Sequence, residues 1–191
     1  MFNQIWPALK LTLLTMLLLI VVYPLVVWLF APLAPGKGQG ETIELKGRTV
    51  GFALVGQNFS EDRYFQSRPS AVGYNAAGSA GSNKGPSNPE YLATVQARID
   101  TFLVHNPSIR RPQVPTELVT SSGSGLDPDV SIQGAVVQIP RIAKIRGISE
   151  QKLVDLVARY SYKPALGPTK INLLKLNVGL DKSFELKNKE N

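Results

Sequence analysis

Between Lys10 and Lys37 the chain runs for 26 positions without a charged residue, and the core of that stretch, Leu11 to Ala34, reads LTLLTMLLLIVVYPLVVWLFAPLA. As an α-helix its 24 residues would be about 36 Å long at about 1.5 Å per residue. That is enough to cross a hydrocarbon core of about 30 Å with some tilt. Trp6 and Trp28 stand 22 residues apart, about 33 Å along the axis, close to the separation of the two interfacial aromatic belts. Pro24 predicts a kink or looser local hydrogen bonding, which neighbouring helices in a membrane can compensate. Thr12 and Thr15 are expected to bond back to backbone carbonyls and stay in lipid. The competing reading is a cleaved signal peptide, with an apolar stretch of about 7–15 residues and a small-x-small cleavage site. Here the stretch is longer, and Leu29 and Pro32 occupy the minus-three positions before Ala31 and Ala34. The segment therefore reads as an uncleaved single-pass anchor in membrane lipid, residues 11–34, behind a flank of residues 1–10.

Cation counting gives no clear orientation. Lys10 and the terminal amine precede the span, and Lys37, Lys46 and Arg48 follow it. Only ten residues lie before it, however, and a long folded domain after a span translocates largely regardless of charge. The expectation is an N-terminus inside and a folded domain outside.

Composition excludes several chemistries. Among 191 residues there is no cysteine and one histidine, His105, which removes disulfides, thiolate ligands and cysteine nucleophiles and leaves little for a zinc site or a Ser-His-Asp triad. The net charge of +7 is scattered, with no basic run of the kind that nucleic acid selects.

After the juncture PGKGQG, residues 35–40, about 150 residues remain, enough for a core of their own. Thr42 to Leu45 and Arg48 to Val55 read as strands around a tight turn at Lys46-Gly47. The next stretch, to Pro89, is dense in Gly, Ser and Asn yet carries Phe59, Tyr64, Phe65 and Tyr74, which a solvated linker would not need. It reads as an ordered, irregular surface. Asn88, Pro89 and Glu90 open a helix that ends before Pro107. A second loop covers about Arg110 to Asp129. Ser131 starts a helical stretch that Pro140 should kink or break. Ser149 caps a further helix, and Ile171 to Asn177 reads as a closing strand. The expected architecture is a single mixed α/β domain, residues 41–184, with a polar tail, 185–191. No internal repeat is visible.

No active site composes itself from these residues. GSAGSNKG, residues 78–85, lacks the P-loop spacing and no strand leads into it, while SGSGLDPD, residues 122–129, lacks the dinucleotide pattern. Ser122 stands where a nucleophile elbow would need its first glycine. Asp127 and Asp129 fit an Asx-turn or a helix cap better than a cation site. His105 fits a polar helix end. The reading is no catalytic residue and no metal ligand.

The ordered string GQNF (56–59), YF (64–65), RPSA (68–71), YN (74–75), GSN (81–83) and SNP (87–89) is informative as a set. It continues with VPTELVTSSGSGLDP (114–128), QIPRIAKIRG (138–147), LG (166–167) and INLLKLN (171–177). Together these resemble the C subunit of the Kdp potassium-transporting P-type ATPase, from the membrane segment to about Leu180. One departure is local: Ala77 to Asn83 reads AGSAGSN where ASGGSN would be expected.

The resemblance implies a non-catalytic subunit of an ATP-driven potassium importer in the bacterial or archaeal plasma membrane. Its implied partners are a channel-like potassium-selective subunit, a P-type ATPase catalytic subunit and a very small single-span peptide. Supporting assembly and raising the nucleotide affinity of the catalytic subunit are the implied roles. The chain has no DKTGT phosphorylation sequence, so ATP with Mg, like potassium, would be handled by the complex. An outside domain could affect nucleotide affinity only through its partners, whereas an inside one could meet nucleotide directly.

The two loop systems, Gly56 to Pro89 and Val114 to Pro128, are expected to dock on the potassium-selective partner. Candidate anchors are Phe59, Tyr64, Phe65, Arg68, Tyr74, Asn75, Asn83, Ser124 and Asp127, because aromatic and Arg anchors among small polar groups suit an interface. The competing reading has Phe59 and Phe65 filling the domain's own core and Arg68 capping its turns. Two other function classes stay open: a membrane-anchored extracytoplasmic hydrolase relying on His105 or a carboxylate, and an envelope-binding module holding polysaccharide.

Overall fold

A computed structural model describes residues 4–184; the first three residues of the flank and the tail 185–191 lie outside the described residues. Two compact units divide at Thr42 and Ile43.

The first unit is one long apolar helix, α1 (Ile5–Leu33). It begins earlier than the charge-free stretch because Lys10 lies along the helix, with its ammonium 5.5 Å from the centre of the Trp6 ring. Thr12 and Thr15 donate to the carbonyls of Ala8 and Leu11, each at 2.9 Å. Pro24 has no N–H to offer the carbonyl four residues back. The helix meets this by widening: Leu17–Val22 is π-helical, and the Tyr23 N–H reaches back five residues to the Leu18 carbonyl. A π-turn before a proline is one of the recognised ways in which a helix absorbs that lost bond.

Strands β1 (Thr42–Leu45) and β2 (Arg48–Phe52) come next. Their connection, Lys46-Gly47, takes φ of 51° and 75°, the left-handed pair that a two-residue hairpin requires. Helix α2 (Pro89–His105) starts as its sequence predicts, with the Asn88 side chain accepting from the Tyr91 N–H at 2.9 Å. Then come β3 (Asp129–Ser131), α3 (Ile132–Val136), α4 (Ile139–Arg146), α5 (Glu150–Tyr160), β4 (Ser161–Tyr162), β5 (Lys170–Asn172) and α6 (Leu173–Ser183).

The sheet is mixed with helices as expected, but its strands are not those the sequence suggests. β5 lies between β3 and β4, antiparallel to both, with Ile171 opposite Val130 and Ser161. The β1–β2 hairpin forms a separate two-stranded sheet, so the terminal strands do not close on each other. The predicted strand Ile171 to Asn177 is corrected: it pairs only to Asn172 and then becomes α6. Asn172 causes the switch, since its side chain accepts from the Lys175 N–H at 3.0 Å as a helix cap. Leu173, Leu176 and Leu180 then face the core at helical spacing. The helical stretch from Ser131 breaks just before Pro140, which sits in the first turn of α4, where its missing N–H removes no bond. The loop from Arg110 contains two 3₁₀ turns, Arg111–Gln113 and Thr116–Leu118.

Phe65, Ile142, Leu153, Ile171, Leu176 and Leu180 are fully buried and form the centre of one core. A polypeptide segment without helix or strand, Asp62 to Gln66, packs on it and sends Phe65 into it. Each of its five carbonyls accepts from a side chain elsewhere: Asp62 and Tyr64 from Arg141, Arg63 from Arg146, Phe65 from Asn177 and Gln66 from Gln138. Side chains thus supply the hydrogen bonds that a neighbouring strand would otherwise give, which is what allows backbone to be buried outside a sheet. Arg141 is itself buried and donates further to Asn106 Oδ1 at 3.0 Å and Gln138 Oε1 at 2.7 Å. Burial pulls its guanidinium below the ordinary arginine value, and the charge of Asp62 opposes that.

Candidate docking surface

The two Gly/Ser/Asn-rich loops fold against each other. The Gly56 N–H donates to the Leu126 carbonyl at 2.7 Å, Ser122 N–H to Pro69 at 3.1 Å and Ala80 N–H to Ser124 at 3.0 Å. Ser70 Oγ donates to the Gly125 carbonyl at 2.6 Å while accepting from the Val72 and Tyr74 N–H groups. Small residues make this possible. A Cβ on Gly56 would lie 2.5 Å from the Asp127 carbonyl oxygen, and one on Gly125 would lie 2.7 Å from Val72 Cγ2.

This lacing divides the nine candidate anchors. Arg68, Tyr74, Asn75, Ser124 and Asp127 come together. Arg68 Nη1 meets Asp127 Oδ2 at 2.7 Å, Tyr74 donates its hydroxyl to the Arg68 carbonyl at 2.6 Å, and Asp127 Oδ1 accepts from the Asp129 N–H at 3.0 Å. The last contact is the Asx-turn that the spacing suggests. Tyr74 holds φ of 59°, a left-handed backbone that a bulky residue keeps only when its surroundings enforce it. Burial raises its phenol above the ordinary tyrosine value.

Asn75 and Ser124 are exposed at the edge of the same network. Asn75 Oδ1 accepts from the Ala77 N–H at 3.0 Å, and the Ser124 carbonyl takes Ser79 Oγ at 3.0 Å. Asn83 is exposed with a left-handed φ of 53°. Between these, Ala76 to Ala80 forms an exposed rim of small side chains.

The other anchors lie elsewhere. Phe65 is corrected outright: it is fully buried, with its N–H and carbonyl both held by the Asn177 amide at 3.0 and 2.9 Å. No partner can reach it. Phe59 and Tyr64 are half-buried, their ring centres 5.9 Å apart, beside a cavity of about 320 Å³ that Leu45, Val50, Leu174 and Asp181 also line. The Tyr64 ring has the guanidinium groups of Arg63 and Arg146 at 5.1 and 4.9 Å from its centre, and its hydroxyl donates to Asp181 at 2.8 Å. Burial first, and then the Asp181 carboxylate, raise that phenol above its ordinary value. Trp6, Trp28 and Pro24 all lie on the exposed surface of α1.

Sequence reasoning missed the groups that fasten these loops: Gln138, Arg141, Arg146, Asn177 and Asp181. One signal was available, since Gln138 and Arg141 stand beside Ile139 and Ile142 in an otherwise apolar helical pattern. His105, read as a polar helix end, is in the last turn of α2 with Nδ1 2.8 Å from Asp62 Oδ1.

A family model described as KdpC, K+-transporting ATPase, c chain, matches residues 5–182. The potassium-transporting ATPase KdpC subunit of Flavobacterium johnsoniae is 51% identical over 179 residues, covering 94% of this chain and 98% of that protein. That of Bacteroides fragilis is 50% identical over 188 residues, 95% and 97% of the two chains. That of Caldanaerobacter subterraneus subsp. tengcongensis is 41% identical over 184 residues, 94% and 95%.

Proposed function

Because the chain belongs to the KdpC family, the c chain of K+-transporting ATPases, we propose that it supports assembly of that complex by docking on the potassium-selective subunit through its laced loops. The observation that carries this reading is the order of the loops. Some thirty residues without helix or strand are held by hydrogen bonds, a half-buried tyrosine at positive φ and an ion pair, and their outermost part is a rim of small and polar side chains. Order in a long loop costs conformational entropy, about 1–2 kcal/mol per residue, and an ordered rim can be met by a partner without paying it again.

The chain is an accessory subunit, and phosphoryl transfer belongs to the catalytic ATPase subunit, which would handle ATP with Mg. The effect on nucleotide affinity is then a coupling through the assembled subunits. The small single-span peptide is the remaining proposed partner, within the bilayer. Deleting the chain should abolish growth at limiting potassium while leaving growth at high potassium intact, and reintroduction should restore it. Unchanged potassium uptake without the chain would overturn the assembly role.

For orientation we take the N-terminus as cytoplasmic and the domain as outside. Leu166 is 92% exposed, and the chain has no cysteine of its own. A Leu166→Cys chain should therefore react with an impermeant thiol reagent in intact cells. Reaction only after permeabilisation reverses the topology and restores direct nucleotide contact.

A further inference from the structure

The β1–β2 hairpin leaves two large apolar side chains open to water. Gly51 and Ala53 lie against the domain: a Cβ on Gly51 would lie 3.1 Å from Leu174 Cδ2, and Ala53 is fully buried, with its carbonyl accepting from Asn172 Nδ2 at 2.6 Å. Phe52, at the end of β2, is 47% exposed and Leu54, in the turn that follows, is 72% exposed. Arg48 is exposed at the start of the same strand. Lys46 is exposed at the hairpin tip. A two-stranded hairpin is marginal by itself, and an exposed Phe and Leu two residues apart at its end call for a cover.

Chain connectivity says what the cover is. Eight residues, 34 to 41, join the end of α1 to β1. Fully extended they would reach about 30 Å, but Lys37 and Gln39 donate back to Ala34 and Gly36, and those turns shorten the reach. The hairpin is therefore the part of the domain most closely leashed to the bilayer. Its exposed chemistry, aromatic and aliphatic side chains flanked by Arg and Lys, is that of a segment lying in a headgroup layer. We propose that Phe52 and Leu54 insert into the headgroup region of the leaflet from which α1 emerges, with Lys46 and Arg48 against lipid phosphates. The hairpin is then a second, interfacial contact with the membrane, independent of the laced loops. This rests on α1 being a membrane span.

Single-cysteine chains make the test direct. An environment-sensitive fluorophore is placed on Leu54→Cys, on Leu33→Cys at the end of α1, and on Leu166→Cys, in the full chain reconstituted in vesicles. The vesicles are phosphatidylethanolamine with phosphatidylglycerol, or phosphatidylcholine alone, and contain a lipid whose nitroxide sits near the ester carbonyl. The expected result is strong quenching at positions 33 and 54 and several-fold weaker quenching at 166, with position 54 quenched more in the anionic vesicles and less so in high salt. Quenching at 33 but not at 54 overturns the proposal and leaves the span intact. Silence at both overturns the span and the proposal together. Equal quenching in the two lipids removes the role of Lys46 and Arg48. If position 54 is quenched in the isolated chain but shielded in the assembled ATPase, a protein partner is the cover and the proposal fails.

Discussion

Tyr64, Tyr74 and Tyr162 all have phenols held above the ordinary tyrosine value, each chiefly by burial. Lys170 is held above the ordinary lysine value first by its hydrogen bond to Asp129, at 2.5 Å. These four shifts share a sign. A group that binds its proton more tightly in the folded state contributes stability in full below its unfolded value, about 10 for these types, and loses it as pH rises toward the folded value. Thermal unfolding of the detergent-extracted chain should therefore be insensitive to these groups near neutral pH and show a falling melting temperature from about pH 10 upward. Lys170→Met should lower the plateau slightly and make the alkaline fall shallower. A melting temperature that rises above pH 10 contradicts the account. None of these contacts was legible in the sequence, because Asp129, Tyr162 and Lys170 meet only when β3, β5 and β4 pair. Arg141 was half legible: its place among isoleucines signals a buried charge, but nothing nearby in sequence names Asn106 or Asp62 as its partners.

Helix α2 and the β1–β2 hairpin could be read from sequence because their signals are local: a cap, a proline in the first turn, a left-handed pair at a tight turn. The segment Ile171 to Asn177 misled because its apolar residues, Ile171, Leu173, Leu174 and Leu176, satisfy both strand and helix spacing, and a single capping residue, Asn172, decides between them. The laced loops lie between these cases. Their composition announced order without announcing what orders them, since the carbonyls of Asp62 to Gln66 are met by side chains from α4, from α6 and from Gln138 just before α4. Gly125 is the point where the two loops approach most closely at positive φ, 69°, with the Ala80 carbonyl 2.8 Å from where a Cβ would stand. Gly125→Ala should cost about 2 kcal/mol, from left-handed backbone and crowding together, and lower the melting temperature by roughly 5 °C. It should also weaken assembly, because the rim from Ala76 to Ala80 loses its support. An unchanged melting temperature would show that the loops are not held together as described.

At the scale of the whole molecule, an apolar span and a mixed α/β domain followed from charge distribution and periodicity, and membership of the KdpC family followed from the ordered set of loop motifs, matched across residues 5–182. Which anchors face a partner did not follow, because aromatic and Arg side chains suit a core and an interface equally. The structure moves Phe65 into the core and commits Arg68 and Tyr74 to internal bonds, which narrows the proposed docking face to the exposed rim of small residues. The direct measurement is recovery of the assembled ATPase on a tagged chain carrying Ala77→Arg, compared with the unchanged chain, in detergent at matched expression. Ala77 is exposed, so the added side chain should leave the melting temperature within about 2 °C, as surface substitutions do. The account predicts that the potassium-selective subunit is lost from the purified complex, or its recovery reduced about tenfold, as about 1.4 kcal/mol of lost docking free energy would give. Full recovery of an active complex, with the arginine in place and the fold intact, would contradict it.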